Sequence, residues 1–350
     1  IEDRHAGAGQ RDLLALPGTG MSILEISHRS KVFEGIIQAA EANLRKLLSI
    51  PEDYHVLFLQ GGALLQFDMV PMNLLRGSGK PAEYVVTGSW AKKAMDEAAT
   101  QGQVHAAWDG AGCNYNRVPL PDELRLDPNA AYVYICSNET IQGIQYPAIP
   151  VLADLPLVCD SSSDLLCRPV DIRRFAVLFA CAQKNAGPAG VTIVIIRKDI
   201  AARSPKDLPS MLNYRVMAEG KSLFNTPPTF AVYMVKLVTD WLINKVGGLE
   251  AMHQQNMAKA RLLYDVIDKC GGFYAGHADR DSRSIMNVTF RLPNDALENQ
   301  FLKEAKQRGL HELKGHRSVG GCRASIYNAM PLEGVQLLRD FMLEFYEKAK

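Results

Sequence analysis

The sequence predicts an α/β fold: a mostly parallel mixed sheet covered by helices, followed by a smaller C-terminal α+β domain. Three observations predict it. Short apolar, β-branched runs recur as VLFLQ (56–60), YVV (84–86), YVYIC (132–136), LPLVCD (155–160), VLFA (177–180) and VTIVIIR (191–197), too uniformly apolar for strands with one wet face. Helical patterns alternate with them, which is the βαβ rhythm of a sheet covered on both sides. After residue 229 the order changes to long helices with only occasional strands. We therefore expect a large domain over 10–246 and a small one over 247–350, beginning near Gly247-Gly248, with residues 1–9 as an atypical leading segment.

The elements follow in order. Val32, Phe33, Ile36, Ile37, Ala40, Leu44, Leu47 and Leu48 fall at helical spacing over 32–48, and Pro51 stops that helix. Strand 56–60 runs into a Gly61-Gly62 turn, and a helical pattern starts at Ala63 and is interrupted near Pro71. Strands 84–86, 132–136 and 155–160 come next, then the pair 177–180 and 191–197 that flanks Lys184. Beyond them lie helices at 229–245 and 248–269, strand SIMNVTFRL (284–292), helix 295–308, strand RASIYN (323–328) and a last helix at 332–348.

Composition excludes several classes of function. Of 350 residues, 47% are hydrophobic and 22% charged, and 39 Lys+Arg against 38 Asp+Glu leave a net charge of +1. That balance offers no field for nucleic acid or an anionic membrane. The apolar runs are far shorter than a spanning helix requires, and IEDRHAGAGQRD lacks the apolar core of a signal peptide. The cysteines at 113, 136, 159, 167, 181, 270 and 322 are odd in number and scattered, which suits a reducing compartment. Cytoplasmic residence is the expectation, or an organelle if a transit peptide has been removed, since the chain starts at Ile1 without methionine. No G-x-G-x-x-G follows a strand, and Gly77-Ser-Gly-Lys80 lacks the spacing of a phosphate-cradling Walker loop. His311-Glu312…His316 is one residue too long for a two-histidine zinc helix, so no metal is expected. The sequons at Asn138 and Asn287 carry little weight beside such cysteine usage.

What remains is a set of polar residues at the carboxyl ends of successive strands, where open α/β sheets bind ligands. Lys184 lies in ACAQKNAGPAG (180–190), a small-residue turn between two buried strands. Read alone it is either a surface lysine or a partly desolvated amine able to attack an aldehyde. Asp160, ending LPLVCD, either caps the following turn with Ser161 to Ser163 or holds a positive charge beside a bound heteroaromatic ring. The Gly61-Gly62-Ala63 turn either needs glycine for its conformation alone or presents free amides to a phosphate. Trp90 fills the core or stacks on a ring, and Thr140 bonds a ring hydroxyl or the helix behind it. In order, the four features describe a site for pyridoxal 5′-phosphate: Lys184 for the aldehyde, Asp160 for the pyridine nitrogen, Trp90 for the ring face and the Gly-Gly loop for the phosphate.

At these residues the sequence resembles the phosphoserine aminotransferases, fold-type I enzymes of the class-V aminotransferase group. The matching blocks are MSILEISHRSKVFEGII (21–37), VLFLQGGALLQFDMVPMNLL (56–75), YVVTGSWAKKA (84–94), SNETIQG (137–143), CAQKNAGPAGVTIVIIRKD (181–199), SLFNTPPTF (222–230) and LKGHRSVGGCRASIYNAMP (313–331). The resemblance implies that Lys184 binds the cofactor covalently and shuttles the proton, and that Asp160 keeps the pyridinium protonated. It implies that Trp90 stacks on the ring, that Thr140 lies by its 3′-oxygen, and that Ala63, Leu64 and Gln183 surround the phosphate. Asn225 and Thr226 would reach the phosphate of a neighbouring subunit, so a homodimer with shared sites is implied. Arg323 would take the substrate α-carboxylate, and His28, Arg29, His316 and Arg317 the distal phosphate or γ-carboxylate. Two arginines with two histidines favour a dianion over a neutral side chain. Arg29 in SHRSK reads equally as a surface residue, whereas His316-Arg317 lies among Gly315, Gly320 and Gly321.

The implied activity is phosphoserine:2-oxoglutarate aminotransferase, moving an amino group between glutamate and 3-phosphohydroxypyruvate by a ping-pong mechanism in serine biosynthesis. Another class-V aminotransferase, such as an alanine–glyoxylate enzyme, and a cofactor-binding homologue with impaired activity are the alternatives. The second is motivated by departures from the family pattern. IEDRHAGAG replaces the usual FNF-x-x-GPA-x-LP opening, Leu64-Leu65 stand where small or hydroxyl residues are common, Ser161, Asp164 and Leu165 depart from a DMSSNF run, and Cys181 replaces glycine.

Overall fold

The structure is a computed structural model that describes residues 5–152 and 154–350; positions 1–4 of the leading segment lie outside it. Helix α1 (His5–Leu14) and α2 (Lys31–Leu48) precede strand β1 (Tyr54–Leu59), and α3 (Gly62–Leu74), β2 (Ala82–Val86), α4 (Ser89–Ala98) and β3 (Val104–Asp109) follow it. Next come β4 (Val133–Cys136), a small hairpin of β5 (Asn138–Glu139) and β6 (Ile144–Gln145), then β7 (Leu157–Asp160), β8 (Val177–Cys181) and β9 (Thr192–Arg197). Short helices α5 (Lys198–Ala201) and α6 (Tyr214–Glu219) lead to α7 (Thr229–Trp241), which closes in a π-helical turn at Leu242–Val246. The chain ends with α8 (Leu249–Lys269), β10 (Ala275–Gly276), β11 (Asn287–Arg291), α9 (Asp295–Gln307), β12 (Cys322–Ser325) and α10 (Leu332–Ala349).

The main sheet has seven strands in the order β1-β9-β8-β7-β4-β2-β3. Pairings β2–β3, β2–β4, β4–β7 and β7–β8 are parallel, while β9 runs against both β8 and β1. Every strand but β9 therefore points the same way. Alternation along the strands splits the core in two. Val56, Phe58, Val133, Ile135, Cys159, Leu178, Ala180, Ile193 and Ile195 face α2 and α7. Leu57, Leu59, Tyr84, Val86, Tyr134, Val158, Phe179, Val194 and Ile196 face α3, α4 and α6. Burial on both faces explains why these strands read as continuous apolar runs. A third cluster joins α8, α9 and α10 to the three-stranded sheet β10-β11-β12, the smaller C-terminal α+β unit.

Local chemistry sets the boundaries. Ser30 caps α2 by accepting the Phe33 N–H at 3.2 Å, and Ser49, left-handed at φ 51°, ends it two residues before Pro51. The interruption expected near Pro71 does not occur. Helix α3 continues to Leu74 because Met69, Val70 and Asn73 are buried, and the Asn73 amide donates to the Met69 and Leu212 carbonyls at 2.7 Å each. Strand β3 carries no clear sequence signal: it is an edge strand whose His105 and Ala106 are exposed. From His5 the chain folds as α1 against α7, where Gly9 approaches Met234 and the Tyr233 hydroxyl donates to Asp12. Among the described residues, no helix is long and apolar enough to cross a membrane.

Gly61 shows how tightly the β1–α3 turn is built. It sits at φ 91°, and a Cβ there would lie 2.4 Å from Leu65 Cδ2 and 2.5 Å from Leu65 Cβ. Gly61→Ala is therefore expected to cost about 2 kcal/mol or more in urea denaturation, through strain plus steric overlap. Gly77→Ala, at φ 70° with nothing within 4 Å, is the reference for strain alone, at about 1 kcal/mol. Equal losses for the two variants would contradict this reading.

Candidate active site

The parallel strands bring their carboxyl ends to one edge of the sheet, and the chain leaves five of them through the residues singled out in the sequence. β1 exits into Gly61-Gly62 and the start of α3, β2 into Gly88 and α4, β4 into Ser137–Thr140, β7 ends on Asp160, and β8 runs into Gln183-Lys184. No side chain caps α3, whose preceding Gly61 is left-handed, so the amides of Ala63 and Leu64 face outward at a helix N-terminus. The Leu64 side chain itself is 47% exposed.

Lys184 is half-buried, its Nζ 5.8 Å from the centre of the Trp90 ring. The lysine rises from β8, an interior strand, at the sheet's carboxyl end. Its loop is pinned from below. Buried Asn185 donates to the Ser163 carbonyl at 3.4 Å and accepts the Asn328 N–H at 3.0 Å. Asp160 is buried and accepts the Ser162 N–H at 2.8 Å through Oδ1. Burial pushes its carboxyl above the usual range, while Ser162 and the Lys184 charge pull the other way. Of the two readings of Asp160, the cap and the charge holder, the geometry accommodates both: one oxygen is spent on the turn.

Trp90, near the start of α4, donates its indole N–H to Thr140 Oγ1 at 3.0 Å, and the Thr140 carbonyl accepts from Arg323 at 3.3 Å. Arg323, on β12 of the small unit, thus meets the rim of the large one. Asn225 and Thr226 lie on the loop before α7, where Gln60 donates to the Thr226 carbonyl at 3.2 Å, next to the Gly-Gly turn. The Asn225 Oδ1 is buried without a partner among the described residues. His28 and Arg29 stand in the turn before α2, with His28 Nε2 likewise buried and unpartnered among the described residues. His316 and Arg317 occupy a tight loop in which a Cβ on Gly315 would lie 2.0 Å from the Gly320 carbonyl oxygen, and His316 Nδ1 pairs with Ser318 at 2.7 Å. Among the described hydrogen bonds, none joins His28, Arg29, His316, Arg317, Asn225 or Gln183 to the cluster around Lys184.

Three buried charged residues were missed in the sequence. Glu139 is fully buried beside the site and accepts the Ala91 N–H at 2.8 Å and the Trp90 N–H at 3.0 Å. An acidic residue soon after a buried strand was the signal used for Asp160, and the same signal marks Glu139. Asp164, one of the departures from the family pattern, is buried and takes hydrogen bonds from Ser137, Ser161 and Gln145. Lys259 of α8 is 2% exposed and donates to the carbonyls of Ile326, Tyr327, Asn328 and Met330. Burial pushes its amine down to about 8.

The cluster fits the chemistry of an anionic heteroaromatic aldehyde. It offers an amine, a buried carboxylate, an indole face and uncapped amides at a helix start, the donor set expected for pyridoxal phosphate.

A family model described as aminotransferase class-V matches residues 10–338, so the chain belongs to the class-V aminotransferases. Within that class it belongs with the phosphoserine aminotransferases. It is 53% identical over 340 residues to the phosphoserine aminotransferase of Rhodopirellula baltica, covering 97% of this chain and 90% of that one. The solved phosphoserine aminotransferase of Bacillus circulans subsp. alkalophilus superposes with a TM-score of 0.97 at 49% identity, over 100% of this chain and 96% of the other. A pyridoxal-phosphate-bound phosphoserine aminotransferase from Trichomonas vaginalis is 38% identical with a TM-score of 0.91, over 97% and 96% of the two chains.

Lys259→Met should remove the donor shared by four backbone carbonyls and cost about 2–4 kcal/mol in chemical denaturation. The folded amine titrates near 8 and the unfolded one at 10.5, so the unfolded chain binds more protons between those values and this group's contribution to stability rises with pH there. That rise should be absent in Lys259→Met; an unchanged slope would show that Lys259 is not its source.

Proposed function

We propose that this chain is a pyridoxal-phosphate-dependent transaminase that moves an amino group between glutamate and 3-phosphohydroxypyruvate, the phosphoserine-forming step of serine biosynthesis. The reading rests most on one arrangement: the Lys184 amine near the Trp90 ring, with buried Asp160 at the end of the adjacent strand. Full-length similarity to phosphoserine aminotransferases selects the substrate. Bound pyridoxal phosphate supplies an aldehyde that captures amines and a protonated ring that withdraws electrons from the substrate α-carbon.

The chain's residues do the rest. Lys184 would hold the cofactor through its Nζ and would serve as the base that takes and returns the α-proton. Asp160 keeps the proton on the ring nitrogen; burial raises its carboxyl, and the Ser162 amide and the Lys184 charge work against that rise. Trp90 covers one ring face and Thr140 orients it, while the amides of Ala63 and Leu64, with Gln183, receive the phosphate. Because the Leu64 cup relies on backbone groups, the hydroxyl common at that position is not required. Arg323 takes the α-carboxylate, and its bond to the Thr140 carbonyl ties that function to the ring. His28, Arg29, His316 and Arg317 take the distal phosphate or γ-carboxylate, so one pocket serves both substrates in turn.

Those four residues make no described contact with the Lys184 cluster, and Asn225 carries a buried unpartnered oxygen. Both facts support a two-fold homodimer in which Asn225 and Thr226 complete the partner's phosphate site. We place the boundary between the large and small domains at Gly247-Gly248, where both glycines adopt positive φ between α7 and α8. All seven cysteines are free, which supports a reducing compartment, the cytoplasm.

Purified protein should transaminate phosphoserine with 2-oxoglutarate and turn over serine and alanine at least about 100-fold less efficiently, on the order expected when an anion pocket is left unfilled. Comparable rates with alanine and glyoxylate would assign it to another branch of the class. Lys184→Ala should lose the visible absorbance of the bound cofactor and cut turnover by at least about a thousandfold. Full turnover in that variant would remove Lys184 from the reaction.

A further inference from the structure

We propose that Glu139 is a positioning residue: its carboxylate, seated on the first amides of α4, holds Trp90 in place over the ring, and its protonation loosens that hold. The inference deepens the proposed function and rests on the reading of Trp90 as the ring-stacking residue.

Helix α4 begins with no cap of its own. Its N-cap position is Gly88, which has no side chain to offer, yet the Trp90 and Ala91 amides are both bonded, one to each oxygen of Glu139. Asp, Ser or Thr at the N-cap is the ordinary solution. Here the cap arrives instead from β5, and Gly88 is the residue that makes room: a Cβ there would lie 2.6 Å from Glu139 Cδ and 2.7 Å from Gln142 Oε1. The next residue in the chain, Thr140, takes the Trp90 indole N–H. Two consecutive residues therefore grip the backbone and the ring of one tryptophan, from the same strand end.

An ionised carboxylate accepts from both amides at full strength. Protonation makes one oxygen a hydroxyl, a much weaker acceptor, and that bond weakens. The groups around Glu139 make this protonation accessible. Asp160 at the end of β7 opposes its charge, Lys184 after β8 supports it, and Tyr134 and Cys136 of β4, Tyr115 after β3 and Tyr146 after β6 face it as neutral groups. Burial outweighs the two amides, and the carboxyl is pushed up to about 7. Trp90 is thus held firmly above neutrality and loosely below it.

The test is the rate of cofactor release from the loaded enzyme, followed by visible absorbance from about pH 5.5 to about 8.5, in wild type, Glu139→Gln and Glu139→Asp. Wild type should release the cofactor about tenfold faster at the acid end, with a midpoint near 7. Glu139→Gln should release it fast throughout, without that step, and Glu139→Asp should restore a step. A Glu139→Gln enzyme with the wild-type rate and step overturns the proposal. Should Glu139→Gln not fold, Glu139→Asp is combined with Trp90→Phe. If Glu139 acts through Trp90, the effect of Glu139→Asp on release shrinks at least threefold when Trp90→Phe is also present. An undiminished effect there assigns Glu139 a general structural role and also overturns the proposal. Failure of wild type to bind pyridoxal phosphate at all would sink the proposed function, a result distinct from either.

Discussion

The shared direction of six strands is the constraint from which the rest of this molecule follows. A sheet covered on both faces can expose only its edges and ends, and parallel strands place all their carboxyl ends on one side. Every group argued to touch the cofactor ring leaves the sheet there: Trp90 after β2, Thr140 after β4, Asp160 on β7 and Lys184 after β8. The antiparallel exception is informative. Strand β9 turns back directly after the Lys184 loop, so the lysine sits on a short, braced connection between two paired strands rather than on a long crossover.

That geometry concentrates charge in a poorly solvated place. Asp160 and Glu139 are both buried; Asp160 raises the proton affinity of Glu139, while Lys184 lowers it for both. The two carboxylates are nonetheless satisfied differently. Asp160 spends one oxygen on Ser162, whereas Glu139 spends both on α4. One acid is therefore available to chemistry and its neighbour is committed to architecture, although their positions after adjacent strands look equivalent.

Much of this was legible in the sequence. The buried strands announced themselves because burial on two faces abolishes alternation, and α2 did so because its buried face repeats every three or four residues. Lys184, Asp160, Trp90 and Thr140 could be singled out because each follows an apolar run that ends at the carboxyl edge of the sheet. What escaped was set by distant partners. Pro71 does not end α3, since Asn73 is tied to Leu212 and Tyr214, 139 and 141 residues away. Strand β3 escaped because an edge strand need not be apolar. Lys259 looks like any helical lysine, and nothing local says that four carbonyls wait for it.

Those carbonyls connect the two halves of the molecule to the Lys184 loop. Lys259 and Asn256 of α8 bind the segment after β12: Lys259 takes carbonyls from Ile326 to Met330, and Asn256 donates to Asn328 and to the Cys167 carbonyl. Asn328 in turn donates its side chain to the Leu166 carbonyl and its backbone N–H to Asn185, the residue after Lys184. A buried ammonium without a carboxylate partner is costly unless its hydrogen bonds are complete, and here they are. The same segment extends β12, which carries Arg323 to Thr140. The small unit therefore reaches the Lys184 cluster twice, once beneath the lysine and once at its rim, and a shift of α8 would move Lys184 and Arg323 together.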